Sequence, residues 1–175
     1  MMIKFGIDLE YYNGKKLNDD GSIKRDDLDI FYLKMAYLVS ERSTCLRRQV
    51  GCVIVKDKVL LSTGYNGASC GKKHCTINTC QRIKNNVKSG DYSYPCIAAH
   101  AEMNAIANSA KIGAKINNST LYVTASPCFE CSKVIANSGI KRIVYCETYG
   151  SGISDIQKEI LKGIELIQIS KDLLN

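Results

Sequence analysis

The 175-residue sequence has no tryptophan, three phenylalanines, two prolines and two histidines. It also lacks any apolar run of about 18 residues, which excludes a membrane-spanning helix. Asp8 and Glu10 fall where an export signal would be apolar, so the expectation is a soluble, cytoplasmic protein without a membrane partner. A nucleic-acid groove needs stacking surfaces interleaved with basic residues. The aromatics here are few and the tyrosines scattered, so no nucleic-acid partner is expected. Internal repeats and biased tracts are absent too. With 45% hydrophobic residues, the length suits one compact domain over residues 26–175, preceded by an N-terminal arm, 1–25, with turn signals at Asn13-Gly14 and Asp20-Gly21.

Cysteine, by contrast, is abundant. Nine cysteines in a chain without an export signal, and an odd number of them, argue against a disulfide framework. His74 adjoins one cysteine and His100 closely follows another, which points to metal binding. Cys52 and Cys146 lie in apolar segments and read as buried structural thiols. The charge is +7 overall, yet residues 1–30 hold seven acids and five bases. The remainder is therefore strongly basic, as a phosphate-bearing ligand would favour.

From Asp26, the residues Leu28, Phe31, Met35, Leu38 and Val39 follow helical spacing and predict a core-packing helix ending near Ser43. Val50–Val55 and Val59–Ser62 flank Lys56-Asp57-Lys58 as a hairpin. Residues 68–97 form a long loop that contains four of the cysteines and needs something to tie it down. Helices over 98–111, 128–138 and 153–162 then alternate with strands over 120–124, 142–145 and 165–169. Alternation implies crossover units. The fold class is α/β: a three-layer α/β/α sandwich around a mixed sheet of about five strands.

His100-Ala101-Glu102 opens one of these helices, and Pro127-Cys128-Phe129-Glu130-Cys131 opens another directly after a strand. Helices packed on one face of a parallel sheet begin at the same edge, so the two termini can converge beyond the strand ends. Their dipoles favour thiolates there. His100, Cys128 and Cys131 supply three zinc ligands and leave a fourth tetrahedral position for water, as in a catalytic site. Pro127 fits a first helical turn and sets the loop that presents Cys128. Glu102 sits beside that water without ligating the metal. In this scheme the activated water attacks C4 of cytosine, while Glu102 protonates N3 and later the departing ammonia. H-x-E followed by P-C-x-x-C is the signature of zinc-dependent deaminases. A competing class is a non-enzymatic, zinc-stabilised nucleic-acid-binding module, for which Glu102 would have no role.

From Leu28 to Ile169 the chain resembles the cytidine and deoxycytidylate deaminase superfamily, and its deoxycytidylate branch most closely. The residues that carry the likeness, beyond the zinc motifs, are Arg42-Ser43-Thr44-Cys45 with Arg47-Arg48, Val50-Gly51, Gly64-Tyr65-Asn66-Gly67, the run from His100 to Ile106, and the run from Val144 to Tyr149. The resemblance implies a cytidine deaminase-like fold and hydrolysis of dCMP to dUMP plus ammonia, supplying dUMP for thymidylate synthesis. It implies that Asn66 binds the sugar or phosphate side, that Val50 packs on the base, and that Ser43, Arg47 or Arg48 holds the phosphate. Ala101 would touch the substrate and Tyr145 close over it. Similar proteins are homohexamers activated by dCTP and inhibited by dTTP near the turn formed by Gly64, Tyr65, Asn66 and Gly67. Many relatives have proline two residues beyond that turn, where this chain has Ser69. That departure leaves dCTP open as a substrate, with Mg2+ accompanying the triphosphate. A second, structural zinc is implied at Cys45, Cys75, Cys80 and Cys96, with His74 as an alternative to Cys80. Such a centre would tie down the long loop.

Overall fold

The computed structural model describes residues 11–12, 14–88, 91 and 95–174. A short hairpin, β1 (Tyr11–Tyr12) with β2 (Lys15–Lys16), turns at Gly14, whose φ is 73°. Met1 to Glu10 lie outside the described residues. Helix α1 (Leu28–Ser40) is followed by β3 (Gly51–Lys56), β4 (Val59–Tyr65) and β5 (Gly67–Ala68). The loop beyond holds the single-turn α2 (Gln81–Lys84). Then come β6 (Ala98–Ala99), α3 (Ala101–Lys111), β7 (Thr120–Ala125), α4 (Phe129–Asn137), β8 (Arg142–Glu147), α5 (Asp155–Ile160) and β9 (Glu165–Gln168). A 3-10 turn at Lys171–Leu174 closes the described chain. No helix among the described residues is long and apolar enough to cross a membrane.

The main sheet runs β4-β3-β7-β8-β9. Its first three strands pair antiparallel, and β7-β8-β9 are parallel. The β3-β4 connection is a two-residue turn, with Asp57 and Lys58 at φ 51° and 64°, the left-handed geometry that matches strand twist. Lys58 O is held by the Tyr32 hydroxyl at 2.7 Å.

Side chains alternate across a strand, so each central strand feeds two cores. Cys52, Ile54, Leu121, Val123 and Ile143 pack against α3 and α4, while Val53, Val55, Tyr122 and Val144 face α1. This is the mixed five-stranded, three-layer α/β/α sandwich that the order of elements predicts. Two glycines permit the layers to close. A Cβ on Gly51 would lie 2.0 Å from Ala36 O of α1, and one on Gly64 would lie 2.3 Å from Ala101 O of α3. Only glycine lets backbones approach so nearly.

Helix α1 departs from its sequence reading. Its buried face is Tyr32, Leu33, Ala36 and Ser40, whereas Leu28, Phe31 and Leu38 are 45%, 48% and 66% exposed. Two apolar stripes share the helix, and tertiary packing selects the one that includes small Ala36, because Gly51 brings the sheet close there. The helix also ends at Ser40 rather than near Ser43. Its start is anchored by Asp27, which caps Asp29 N at 2.8 Å, and by a bidentate pair from Arg142 to Asp29 with both contacts at 2.6 Å. Arg142 holds the Asp29 carboxyl below its usual range.

Candidate active site

The parallel strand β7 ends at Ala125, and Ser126-Pro127 carries the chain to Cys128, the N-cap of α4. His100 is the N-cap of α3 on the same face of the sheet. Packing of α3 and α4 over one core puts both caps at one edge. His100 Nδ1 lies 3.2 Å from Cys128 Sγ and 3.4 Å from Cys131 Sγ. Among the described residues this is the only group of three or more metal-donor side chains whose ligand atoms all lie within 4.8 Å of one another. Cys131 N donates to Cys128 Sγ at 3.5 Å, as a helix N-terminus does for an anion. The hydrogen bond from the Cys131 thiol, together with His100, holds the Cys128 thiol far below its ordinary pKa despite burial. Cys131 is pushed up in turn by Cys128, by burial and by Glu102.

Glu102, in the first turn of α3, is 4% exposed. Burial pushes its carboxyl up to about 7, opposed by its backbone hydrogen bond and by His100. Helix α3 is fastened to β4 by Asn104 and Asn108, which donate to Tyr65 O and Thr63 O at 2.8 Å each. A support that sequence reasoning missed comes from α5: Gln157 Nε2 donates to Pro127 O at 3.1 Å and to Ser132 Oγ at 3.2 Å. Its only visible signal in the sequence is the Ser154-x-x-Gln157 capping box.

His100, Glu102 and Cys128 line a cavity of about 750 Å³. Arg47, Arg48, Val50, Asn66, Gly67 and Ala101 share its wall. Asn66 is a clamp: Oδ1 accepts from Val50 N at 2.8 Å and from Ser43 Oγ at 2.6 Å, and Nδ2 donates to Arg48 O at 2.8 Å. Ser43 is buried behind Asn66 and does not line the cavity, so it orients this clamp. Arg48 is also committed, with Nη2 donating to Glu147 Oε2 at 3.0 Å and its guanidinium 5.4 Å from the Tyr149 ring centroid. Tyr145 points instead into a second cavity of about 350 Å³; Tyr149 reaches the first. The reason is position along the strand: Tyr145 is set back from the end of β8, whereas Tyr149 lies in the loop beyond it, where the main cavity opens. Gly64 faces α3, and Gly67 faces Thr44 Oγ1.

All nine cysteines are free. Cys52 and Cys146 are buried in β3 and β8 as expected. Cys45, Cys75, Cys80 and Cys96 line one wall of the main cavity. Burial and the neighbouring Cys80, Cys96 and Cys45 push the Cys75 thiol up, so each of the three lies within electrostatic reach of Cys75. They do not form a tight donor cluster of the kind made by His100, Cys128 and Cys131. His74 Nδ1 lies 3.1 Å from Thr44 Oγ1.

Residues 26–147 match the family described as the cytidine and deoxycytidylate deaminase zinc-binding region. The deoxycytidylate deaminase of Enterobacteria phage T4 is 36% identical, over 82% of this chain and 90% of the relative. That of Mycobacterium phage D29 is 44% identical, over 70% of this chain and 97% of the relative. The crystal structure of dCMP deaminase from cyanophage S-TIM5 in complex with dCMP and dUMP superposes with a TM-score of 0.67 at 32% identity, covering 83% of this chain and 99% of that one.

Proposed function

We propose that this chain, which belongs to the cytidine and deoxycytidylate deaminase family, hydrolyses dCMP to dUMP and ammonia at the centre formed by His100, Glu102, Cys128 and Cys131. The observation that carries the reading is Glu102: a buried carboxyl, poised near neutrality, on the wall of a cavity beside three metal-donor side chains. One imidazole nitrogen and two thiols, one of them held in its anionic form, fit a zinc ion and leave one tetrahedral position open. Bound there, zinc would supply Lewis acidity that brings the pKa of a water toward ~7.

The rest is the work of the chain's own groups. Glu102 takes one proton of the attacking water and delivers it to N3 of the base, then takes the remaining hydroxyl proton of the C4 adduct and gives it to the leaving amino group. A buried carboxyl can work in both directions, as a base while ionised and as an acid once it has taken the proton. Val50 packs on the base, Ala101 borders it, and Asn66 holds the strand entry that bears Val50. Of the three groups that sequence leaves open for the phosphate, Arg47 is supported. Its Nη1 is buried without a hydrogen-bond partner, while Ser43 and Arg48 are spent on Asn66 and Glu147.

Finer features belong to the same proposal. A second zinc held by Cys45, Cys75, Cys80 and Cys96 is supported by their place on the wall of one cavity, with the other three in electrostatic reach of Cys75, and His74 is the weaker alternative because it is engaged with Thr44. The exposed stripe Leu28, Phe31 and Leu38 supports a homo-oligomer, a hexamer by the resemblance. Control by dCTP and dTTP at the Gly64–Gly67 turn, and Mg2+ with any triphosphate, rest on the resemblance alone. Nine free cysteines suit a reducing, cytoplasmic setting.

The deciding experiment measures ammonia and deoxyuridine nucleotide formation from dCMP, dCTP, deoxycytidine and single-stranded DNA, with Glu102→Gln in parallel. Turnover of dCMP that vanishes in the variant is expected. Inactivity on every substrate, with dCTP and Mg2+ present as effectors, would favour a purely structural zinc module instead.

A further inference from the structure

Three arginines line the main cavity, and their charges are not equally available. Arg48 is answered inside the protein by Glu147 and lies against Tyr149. The lining acid Glu130 is likewise taken, by Lys133 at 2.7 Å. Among the described residues no carboxylate lies in ion-pair range of Arg47 or Arg82. Arg47 has its buried Nη1 without an acceptor, a condition that folded proteins avoid unless a ligand supplies one.

Arg82 comes from α2, inside the long loop 68–97, which carries five basic residues and one acid. It is half-buried, and one guanidinium nitrogen donates to Lys88 O at 3.0 Å. That bond fixes the plane of the fork and leaves its other donors for a ligand. The backbone beneath is also held, since Ile83 N and Lys84 N both bond to Cys80 O. Arg82 and His100 line the same cavity.

We infer that Arg82 is a specificity residue for the 5′-monophosphate, forming with Arg47 a subsite of two unanswered cations for one phosphomonoester. This deepens the dCMP reading above and rests on it. A phosphomonoester carries nearly two negative charges at neutral pH, which two arginines match. A triphosphate brings more charge than the free cations of the cavity answer, so dCMP is preferred over dCTP in the absence of a divalent ion. A nucleoside leaves both guanidinium groups unsatisfied and binds weakly.

The test compares wild type, Arg82→Ala, Arg82→Lys and Arg47→Ala. Two ratios are read: kcat/KM for dCMP over deoxycytidine, and calorimetric affinity for dUMP over deoxyuridine. Each alanine variant is expected to lower both ratios by roughly 10- to 100-fold, the value of one charge-assisted contact. Arg82→Lys should recover part of the loss, because it keeps the charge but not the fork. An Arg82→Ala protein with unchanged ratios, or one that loses nucleoside and nucleotide equally, overturns the inference. Absence of dCMP turnover in the wild type would instead defeat the proposed reaction, while the dUMP ratio would still judge Arg82.

Discussion

Cys128 and Cys131 stand on the first turn of α4, directly beyond a buried parallel strand, whereas Cys45, Cys75, Cys80 and Cys96 hang on irregular backbone along the cavity wall. The first pair is buried and lies within hydrogen-bond distance of His100. The second set lies only within electrostatic reach, and Cys96 is exposed. Sheet and helices fix the backbone of the first centre, so little ordering is left for a ligand to supply. A loop centre must draw on binding free energy to order its own backbone. Catalysis requires the first kind of support and a loop staple requires only the second.

The sharpest way to test that contrast is at Glu102. Glu102→Gln is expected to lower kcat by about 10²–10⁴-fold while elemental analysis finds zinc retained at the His100 centre. Loss of metal along with activity would mean that the carboxylate is a ligand.

Next in size are the thiols themselves. Cys128→Ser should abolish turnover and remove one zinc per chain with a modest change in melting temperature, since β7 and α4 remain packed. At the loop centre proposed above, Cys80→Ser should remove a second zinc, expose the 68–97 loop to proteolysis, and leave measurable turnover. Equal effects of the two substitutions would erase the distinction between scaffolded and loop-borne centres.

The acid at the rigid centre also leaves a mark on stability. In zinc-free protein the Glu102 carboxyl is raised from 4.5 to about 7, so the folded state binds the proton more tightly than the unfolded chain. The resulting stability is complete below about pH 4.5 and is lost as pH rises through about 7, up to about 3 kcal/mol in all. Urea melts of zinc-free protein at pH 5 and pH 8 should therefore differ by more in wild type than in Glu102→Gln. Zinc loading should shrink the difference, because a nearby cation favours the carboxylate.

The smallest effect is expected at Glu147, which lines the cavity. It accepts from Tyr37 at 2.9 Å, Lys171 at 3.2 Å and Arg48 at 3.0 Å. Burial alone would raise its carboxyl, but Tyr37, Lys171 and Arg48 hold it below the ordinary range. Glu147→Gln should raise KM for dCMP by roughly 3- to 10-fold with kcat nearly unchanged, as a partly exposed ion pair allows. A fall in kcat of equal size would place Glu147 closer to the chemistry than its geometry implies.

Much of the fold was legible because β-branched strands and helical periodicity alternate so regularly after residue 98. The catalytic centre was legible because short-range spacing decides it: Cys128 and Cys131 are three apart on one helix, and His100 and Glu102 share one turn. The reading failed where several faces compete. Leu28, Phe31 and Leu38 share one helical stripe, yet packing buried the stripe with Ala36 because Gly51 brings the sheet close. Tyr145 was assigned to the nucleotide, yet Tyr149 reaches the main cavity, while Tyr145, set back from the end of β8, lines the other one.

By itself the sequence determined the elements, their alternation and the chemical identity of the donors, all of which follow from interactions within a few residues along the chain. Only the tertiary structure decided which polar groups are already satisfied. Ser43 is turned toward Asn66, Arg48 toward Glu147 and Gln157 toward Pro127, while Arg47 and Arg82 are left with charge to offer. Each of those three partnerships spans more than 20 residues of chain. A hydrogen bond across such a distance is set by the packing of layers, which no local pattern encodes.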